Sequence, residues 1–354
     1  MHYVIGDIHC QIDALKRLLD KLNLQPEDKV YFVGDWFDRA YTRRDVLETC
    51  EWMVENLTGN SRFLSVCGNH DVDMLETIEC YLEESQLSGD SEEQRLFSLL
   101  EDHELEASIK ECYPAIKSMI ESFPLYYEFQ INGVAHMVTH SWLVDQCERP
   151  IGLESFDKSN LNKQWSIWDR RASLMEWDDA NDMPILIHGH TPTLGRGNLT
   201  QEVISPLAKI KYVSNKNINV DCCAFYSPLR GGNLAAYCCE DGTEFYAYDD
   251  DVFYTLADQL VETCISHGKR ISKEEYLFAV LFYNQYAVAL SKEDAHSLRF
   301  QNAEAENAFL HMKKSYADYS LEESYFEINR KMRYVKDILH REVPGFWVSC
   351  RKEL

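Results

Sequence analysis

Apolar and polar positions alternate in blocks along the first 72 residues. Tyr3 to Ile5 form a short apolar run, and Ile12 to Leu24 carry Leu15, Leu18, Leu19 and Leu22 at helical spacing. Val30 to Val33 are a second apolar run, Val46 to Leu57 again reads as helix, and Phe63 to Val66 is a third strand. The order β-α-β-α-β predicts a parallel sheet with right-handed crossovers. In such sheets chemistry gathers at the carboxyl ends of the strands. Each of the three strands runs straight into a glycine and a polar residue: Gly6-Asp7, Gly34-Asp35 and Gly68-Asn69.

The character then changes. From Asp73 to Glu121 the chain carries 14 acidic residues against 3 basic, which reads as a solvated helical insertion at about 73–122. Strands return at Leu125, where two apolar runs flank the hairpin signal Asn132-Gly133. Further strands are expected at Ile185 to Ile187, Ile210 to Val213 and Ile218 to Val220, and a second hairpin over Leu234 to Tyr248 turning at Asp241-Gly242. After Asp251 the pattern is helical to the end, with neither Gly nor Pro between Lys269 and Val343. The expected organisation is therefore an α/β region over residues 1–250 and a helical C-terminal region over 251–354.

Composition narrows the partners more than the chemistry. The 354 residues are 45% hydrophobic, enough for a sizeable core, and the net charge is −24. Such a surface repels nucleic acid and does not favour anionic lipid. A small phosphate-bearing ligand is still compatible, provided cations and arginines make its site locally positive. The twelve cysteines are scattered without a C-x-x-C pair, so neither a zinc ribbon nor a thioredoxin-type motif is available. The opening MHYVIGD enters a strand at once, leaving no room for a signal peptide, and Leu277 to Phe282 falls far short of a membrane span. These features lead to the expectation of a protein of the reducing cytosol that contacts neither nucleic acid nor membrane. They do not bear on oligomeric state.

The polar residues after the predicted strands form five blocks: Asp7 and His9 in GDIHC; Asp35, Asp38 and Arg39 in GDWFDR; Asn69, His70 and Asp71 in GNHD; His140 in THSW; His188 and His190 in HGHTP. Carboxylate, imidazole and amide oxygen together suit divalent metals such as Mn, Fe or Zn. Glycine before the polar residue lets the backbone turn sharply, aiming the next side chain into the cleft. Singly, a strand-end Asp is usually a turn former and a semi-buried His a packing residue. Five blocks together argue otherwise.

In these blocks the chain resembles the calcineurin-like metallophosphoesterases, in the branch of bacterial Ser/Thr protein phosphatases and symmetrical diadenosine tetraphosphate hydrolases. The resemblance covers about residues 1–250. It implies a four-layer αββα sandwich, two mixed β-sheets flanked by helices, with a C-terminal helical appendage, and two divalent metal ions. It implies Asp7 and His9 as ligands of the first ion, Asp35 as the bridging carboxylate, and Asn69, His140 and His190 as ligands of the second. It also implies His70 as general acid backed by Asp38, and Arg39 as a phosphate-binding arginine. The segment IWDR at Ile167 to Arg170 resembles the IWNR of bacterial and phage phosphatases, making Arg170 a second phosphate contact. Asp221 resembles the carboxylate that follows the GHT block in this branch, whereas His188 aligns with no ligand and reads as structural.

The implied reaction is in-line attack of a metal-bridging hydroxide on a phosphomonoester, with a phosphorylated protein or a small phosphate-bearing molecule as substrate. Three departures bear on it. Cys10 stands where a glycine is usual, Cys67 where many protein phosphatases carry an arginine, and the third block reads GNHD, not GNHE. Both cysteines read as tolerated packing, with metal binding or oxidation sensing as the alternative. The missing arginine favours a diadenosine tetraphosphate hydrolase as the second reading. A weakly active binding or scaffold protein on the same fold is the third.

Overall fold

The computed structural model describes residues 1–82, 103–151, 157–173, 183–194 and 203–266, together with 268, 272–273, 276–277, 280, 299–300, 307, 330 and 346–351. The chain divides into two compact units. The first comprises Met1–Thr191, Tyr212–Phe225 and Leu234–Phe245; the second comprises Pro192–Lys211, Tyr226–Asn233 and Tyr246–Leu354.

The N-terminal alternation folds as expected. Strands β1 (His2–Ile5), β2 (Lys29–Phe32) and β3 (Phe63–Ser65) are joined by helices α1 (Ile12–Leu22) and α2 (Arg43–Leu57). Both strand pairs are parallel, in a register that aligns Ile5 with Phe32 and Phe32 with Ser65. The three strands therefore finish at one level. Helix α1 buries Ile12, Leu15, Leu18 and Leu22 and ends on Asn23, a left-handed cap at φ 48°. Helix α2 begins at Arg43, three residues before its apolar spacing starts, because Thr42 and Asp45 close a capping box.

Helices α3 (Asn69–Leu82) and α4 (His103–Ser122) bracket the acidic stretch, whose residues 83–102 lie outside the described residues. Strands β4 (Tyr126–Ile131) and β5 (Val134–Thr139) form the hairpin signalled by Asn132-Gly133, with Ile131 opposite Val134. A short helix α5 (Lys163–Trp168) precedes β6 (Ile185–His188), and a two-residue β7 (Val203–Ile204) precedes β8 (Lys211–Ser214) and β9 (Asn217–Asn219). The expected second hairpin is β10 (Ala235–Cys238) and β11 (Glu244–Tyr246), closed by Gly242 N–H to the Cys238 carbonyl at 2.9 Å.

Two mixed five-stranded sheets result, ordered β11-β10-β1-β2-β3 and β4-β5-β6-β9-β8, and helices flank them. In the second sheet β5, β6 and β9 run parallel. Aromatic rings pack between the sheets: Tyr31 and Phe129 stack at 4.6 Å, and His2 lies on Phe129 at 4.9 Å. Six parallel strands, three from each sheet, thus bring their carboxyl ends to one region.

The second unit contains α6 (Asp250–Ser266), whose buried Asp250 accepts from the Ser205 hydroxyl at 2.9 Å and the Lys209 ammonium at 3.1 Å. Helix through the whole tail is corrected at Arg299–Phe300, which form β12 in parallel pairing with β7. That pairing partner lies almost a hundred residues earlier, beyond the reach of any local periodicity. Helix α7 (Phe346–Cys350) closes the described chain; the rest of the expected helical tail after Ser266 lies largely outside the described residues. Among the described residues no helix is long and apolar enough to cross a membrane.

Candidate active site

Asp7 follows β1, Asp35 follows β2 and Asn69 follows β3, while His140 follows β5, His190 follows β6 and Asp221 follows β9. All six are almost fully buried. Glycines set how closely these loops approach. A Cβ on Gly189 would lie 1.9 Å from Asp7 Oδ1, and one on Gly68 would lie 2.2 Å from Asp35 Oδ1. The turning is not left to glycine, however. His9, Cys10, Asp35, Asp38, Arg39, His190 and Cys223 themselves hold φ between 46° and 72°. Each such residue costs on the order of 1–3 kcal/mol and persists only where its surroundings over-determine it, and such strain concentrates at functional sites.

The surroundings here do over-determine it. The Asp71 carboxyl oxygens accept three backbone N–H groups, from Trp36 at 2.7 Å and from Asp35 and Gly68 at 3.0 Å each. One side chain in the first turn of α3 therefore fixes both the GDW and the GNH turns. Trp36 is buried beneath them, donating its indole N–H to Ser65 at 2.8 Å and stacking on Trp52 at 5.4 Å.

Three imidazoles are each anchored by a backbone carbonyl. The Nδ1 of His9 bonds the Phe37 carbonyl at 2.9 Å, and the Nδ1 of His140 bonds the Val33 carbonyl at 2.7 Å. In His190 it is Nε2 that meets a carbonyl, that of Trp168 at 3.2 Å. A carbonyl only accepts, so each of these nitrogens carries the proton and the other presents a lone pair. The lone pairs converge. His140 Nε2 and His190 Nδ1 are 3.2 Å apart, and both lie about 3 Å from Asn69 Oδ1, at 3.0 and 2.9 Å. His140 Nε2 is 3.4 Å from Asp35 Oδ1, while His9 Nε2 is 3.8 Å from Asp35 Oδ2.

Acceptors crowded together in this way favour a cation at their centre. The donor atoms form two groups, Asp7/His9/Asp35 and Asp35/His140/His190, which share Asp35. Among the described residues Asp35 Oδ2 has no hydrogen-bond partner, as expected of an atom aimed at an ion. A histidine held through its second nitrogen by a carbonyl is the usual arrangement around a protein metal. The two groups, which share Asp35, therefore fit two divalent ions.

The electrostatics agree. Burial and the Asp221 and Asp35 charges raise the Asp7 carboxyl well above the usual carboxylate range, and burial raises Asp35 as well. Burial and the Asp35 charge push Asp71 up to about 8, and burial takes Asp221 to about 6. Burial lowers His140 to about 4; burial with the His140 and Arg170 charges lowers His190 to about 2. Burial, then Arg39 and His70, hold His9 well below its ordinary value. Four interior carboxyls and three neutral imidazoles form a site that cations would relieve.

His70 lies beside this centre. Its Nδ1 is 3.2 Å from Asp38 Oδ2, and its backbone N–H donates to Asp35 Oδ1 at 3.0 Å. Arg39 Nε is 3.3 Å from Asp38 Oδ2, and Arg39 Nη2 approaches His70 Nε2 at 3.4 Å. Arg170 reaches the His190 carbonyl with Nη1 at 3.5 Å and acts electrostatically on His140, His190 and Asp221. Its neighbour Asp169 is tied in twice, by an ion pair to Arg171 and by the Ser141 hydroxyl donating to its carbonyl. All ten candidate residues, Asp7, His9, Asp35, Asp38, Arg39, Asn69, His70, His140, Arg170 and His190, come together. His188 stays apart, buried with Nδ1 against the Gly189 carbonyl at 3.1 Å.

Cys10 and Cys67 are buried, with thiols pushed upward by burial, Cys67 to about 12. Neither belongs to the two donor groups. The placement fits packing, not a reactive thiolate. Sequence reasoning assigned no role to Asp71, although its place in a strand-end block was a signal. It also missed Phe225, whose ring meets both His9 and Arg39; nothing local in the sequence marks that residue.

The profile of the calcineurin-like phosphoesterase family matches residues 3–211. The match spans more than half of the chain, and the protein belongs to that family. A symmetrical bis(5'-nucleosyl)-tetraphosphatase of Actinobacillus succinogenes is 35% identical over 74 residues, 21% of this chain and 25% of that one. The serine/threonine-protein phosphatase PP1-delta of Caenorhabditis elegans is 29% identical over 99 residues, 28% of this chain and 31% of its own. The chain thus spans about a quarter of the length of the curated relatives it first matches. Among solved structures, a metallophosphoesterase from Sphaerobacter thermophilus aligns with 77% of this chain and 95% of its own, at 16% identity and a TM-score of 0.37.

Proposed function

We propose that this protein is a two-metal phosphoesterase that hydrolyses phosphomonoesters. The observation that carries the reading is the set of three carbonyl-anchored imidazoles converging with Asn69 on Asp35. Asp7, His9 and Asp35 would hold one ion; Asp35, Asn69, His140 and His190 would hold the other, with Mn as the favoured metal and Fe or Zn as alternatives. Bound there, two divalent ions supply Lewis acidity and a lowered water pKa for an in-line displacement.

The protein's own groups supply the rest. Arg39 and Arg170 offer planar donor forks to phosphate oxygens and hold the charge that spreads in the transition state. Asp38 orients and charges the His70 imidazole through Nδ1, and Nε2, which meets Arg39 Nη2 at 3.4 Å, would take up a proton and pass it to the departing alkoxide. Asp71 keeps the two ligand-bearing turns in place. The substrate is a phosphorylated protein or a small phosphate-bearing molecule, in keeping with the relatives named above.

A second reading, hydrolysis of symmetrical dinucleoside tetraphosphates, is favoured by the tetraphosphatase relative and by Cys67 in place of an arginine. Hydrolysis of p-nitrophenyl phosphate with Mn added or chelated, beside diadenosine tetraphosphate with product identification, tests both. Mn-dependent turnover of the monoester supports the first reading, and clean splitting of the dinucleotide transfers support to the second. Two bound ions with no turnover of either substrate would refute both and leave a binding protein.

A further inference from the structure

Arg39 lies with its guanidinium over an aromatic ring. Its guanidinium carbon is 4.0 Å from the centroid of Phe225, and the same ring presents itself edge-to-face to His9 at 5.3 Å and 83°. One residue thus touches both a candidate metal ligand and a candidate phosphate-binding group. The contact is built in from both sides. Tyr41, two residues after Arg39, donates its hydroxyl to the Phe225 carbonyl at 2.7 Å, tying the two segments together. On the other side, Asp221 Oδ1 accepts the Cys223 N–H at 2.9 Å and the Val220 carbonyl accepts the Cys222 N–H at 2.9 Å. Cys223 takes φ 63°, and this tight turn delivers Phe225 to the centre.

A guanidinium binds phosphate along its edge, where its donors lie in the plane. The ring contact is made through the guanidinium carbon, while the in-plane donors are held at the edge, where Nη2 meets His70 Nε2 at 3.4 Å. Asp38 Oδ2 at 3.3 Å from Nε fixes rotation within the plane, so ring and carboxylate together define the orientation. A flexible arginine must otherwise lose its side-chain freedom when phosphate arrives, which weakens binding.

We infer that Phe225 is a positioning residue for phosphate recognition: its ring pre-orders Arg39 before the substrate binds. The inference rests on the reading of Arg39 as a phosphate-binding group. Cation–π contacts of this kind correspond to about 3- to 30-fold in affinity.

The test uses the full-length, Mn-loaded protein with inorganic phosphate as the probe. Phosphate affinity is measured by calorimetry, metal content by mass spectrometry, and kcat and KM with p-nitrophenyl phosphate. Phe225→Leu keeps apolar bulk and loses the π face; Phe225→Trp keeps the face. The expected result is a 3- to 30-fold weaker phosphate affinity and a raised KM in Phe225→Leu, with kcat changed less and metal content unaltered. Phe225→Trp restores affinity, and Arg39→Ala/Phe225→Leu binds no more weakly than Arg39→Ala alone. Wild-type affinity in Phe225→Leu, where Arg39→Ala is weakened, overturns this inference alone, as do losses that multiply fully in the double variant. Wild-type affinity in Arg39→Ala overturns the reading of Arg39 itself, and the inference with it.

Discussion

A single methyl group at Gly189 is expected to disable the metal centre. The backbone there passes so close to Asp7 that a Cβ would sit 1.9 Å from Oδ1 and 2.6 Å from the Val33 side chain. Ordinary contact begins near 3.4 Å, so Asp7 or the loop must move by about 1.5 Å. Neither has room, because Asp7 and Val33 are buried and the Gly189 N–H is held by the His140 carbonyl at 3.0 Å. Overpacking of this kind costs about 1–3 kcal/mol of stability. The larger effect falls on function, since a 1 Å misplacement of reacting groups costs on the order of 100-fold in rate. His190 is affected as well, because its N–H donates to Asp7 Oδ2 at 3.0 Å. Gly189→Ala should therefore fold, bind less than the wild-type complement of Mn by mass spectrometry, and lose at least about 100-fold in kcat/KM for p-nitrophenyl phosphate. Urea unfolding followed by tryptophan fluorescence reports the stability loss separately. Full metal content with kcat/KM within threefold of wild type would falsify the argument from close approach.

Three further outcomes follow from the same geometry. His70→Asn should retain both metal ions and lose roughly 10²–10⁴-fold on an alkyl phosphate, with a much smaller loss on p-nitrophenyl phosphate, whose leaving group needs no proton; equal losses on the two substrates would remove His70 from the acid role. Chelated protein should lose stability as pH rises from about 5 to 8: Asp71, raised to about 8, holds its proton when folded and has none when unfolded, so its contribution falls steadily until pH passes the folded value and then levels off. The size is about 1.4 kcal/mol per pH unit below that value and nothing above it, and a urea midpoint that stays flat or rises across this range in Asp71-containing protein, compared with Asp71→Asn, contradicts it. Cys10 sits at φ 59°, so Cys10→Gly should shift stability by less than about 1 kcal/mol, relief of strain offsetting lost burial. Cys10→Val should destabilise by more than about 2 kcal/mol, because a β-branched residue resists that conformation; equal midpoints for the two variants would contradict the strain.

Much of the site was legible because its chemistry is stored at strand ends, where local pattern and polar residue coincide. Asp7, Asp35 and Asn69 each follow a short apolar run by two or three residues, and a parallel sheet has to bring such positions to one edge. The same periodicity located the hairpin at Asn132-Gly133, since turn chemistry is a property of two adjacent residues. By contrast β7 and β12 escaped, because Val203–Ile204 and Arg299–Phe300 are strands only by virtue of each other. The start of α2 at Arg43 needed the Thr42–Asp45 capping box, a polar signal that apolar spacing ignores.

By itself, then, the sequence determined which donor types were available and in what order along the chain, because residue identity and strand-end position are local. Only tertiary structure decided how they act. Which nitrogen of His9, His140 or His190 faces the centre depends on the carbonyls of Phe37, Val33 and Trp168, and the carbonyls holding His140 and His190 belong to distant segments. That Asp71 clamps its own turn to a residue 35 positions earlier, and that Phe225 lies beneath Arg39, depends on loops meeting across the ends of two sheets. Hydrogen-bond direction and ring stacking are relations between distant residues, and a linear pattern records residues singly.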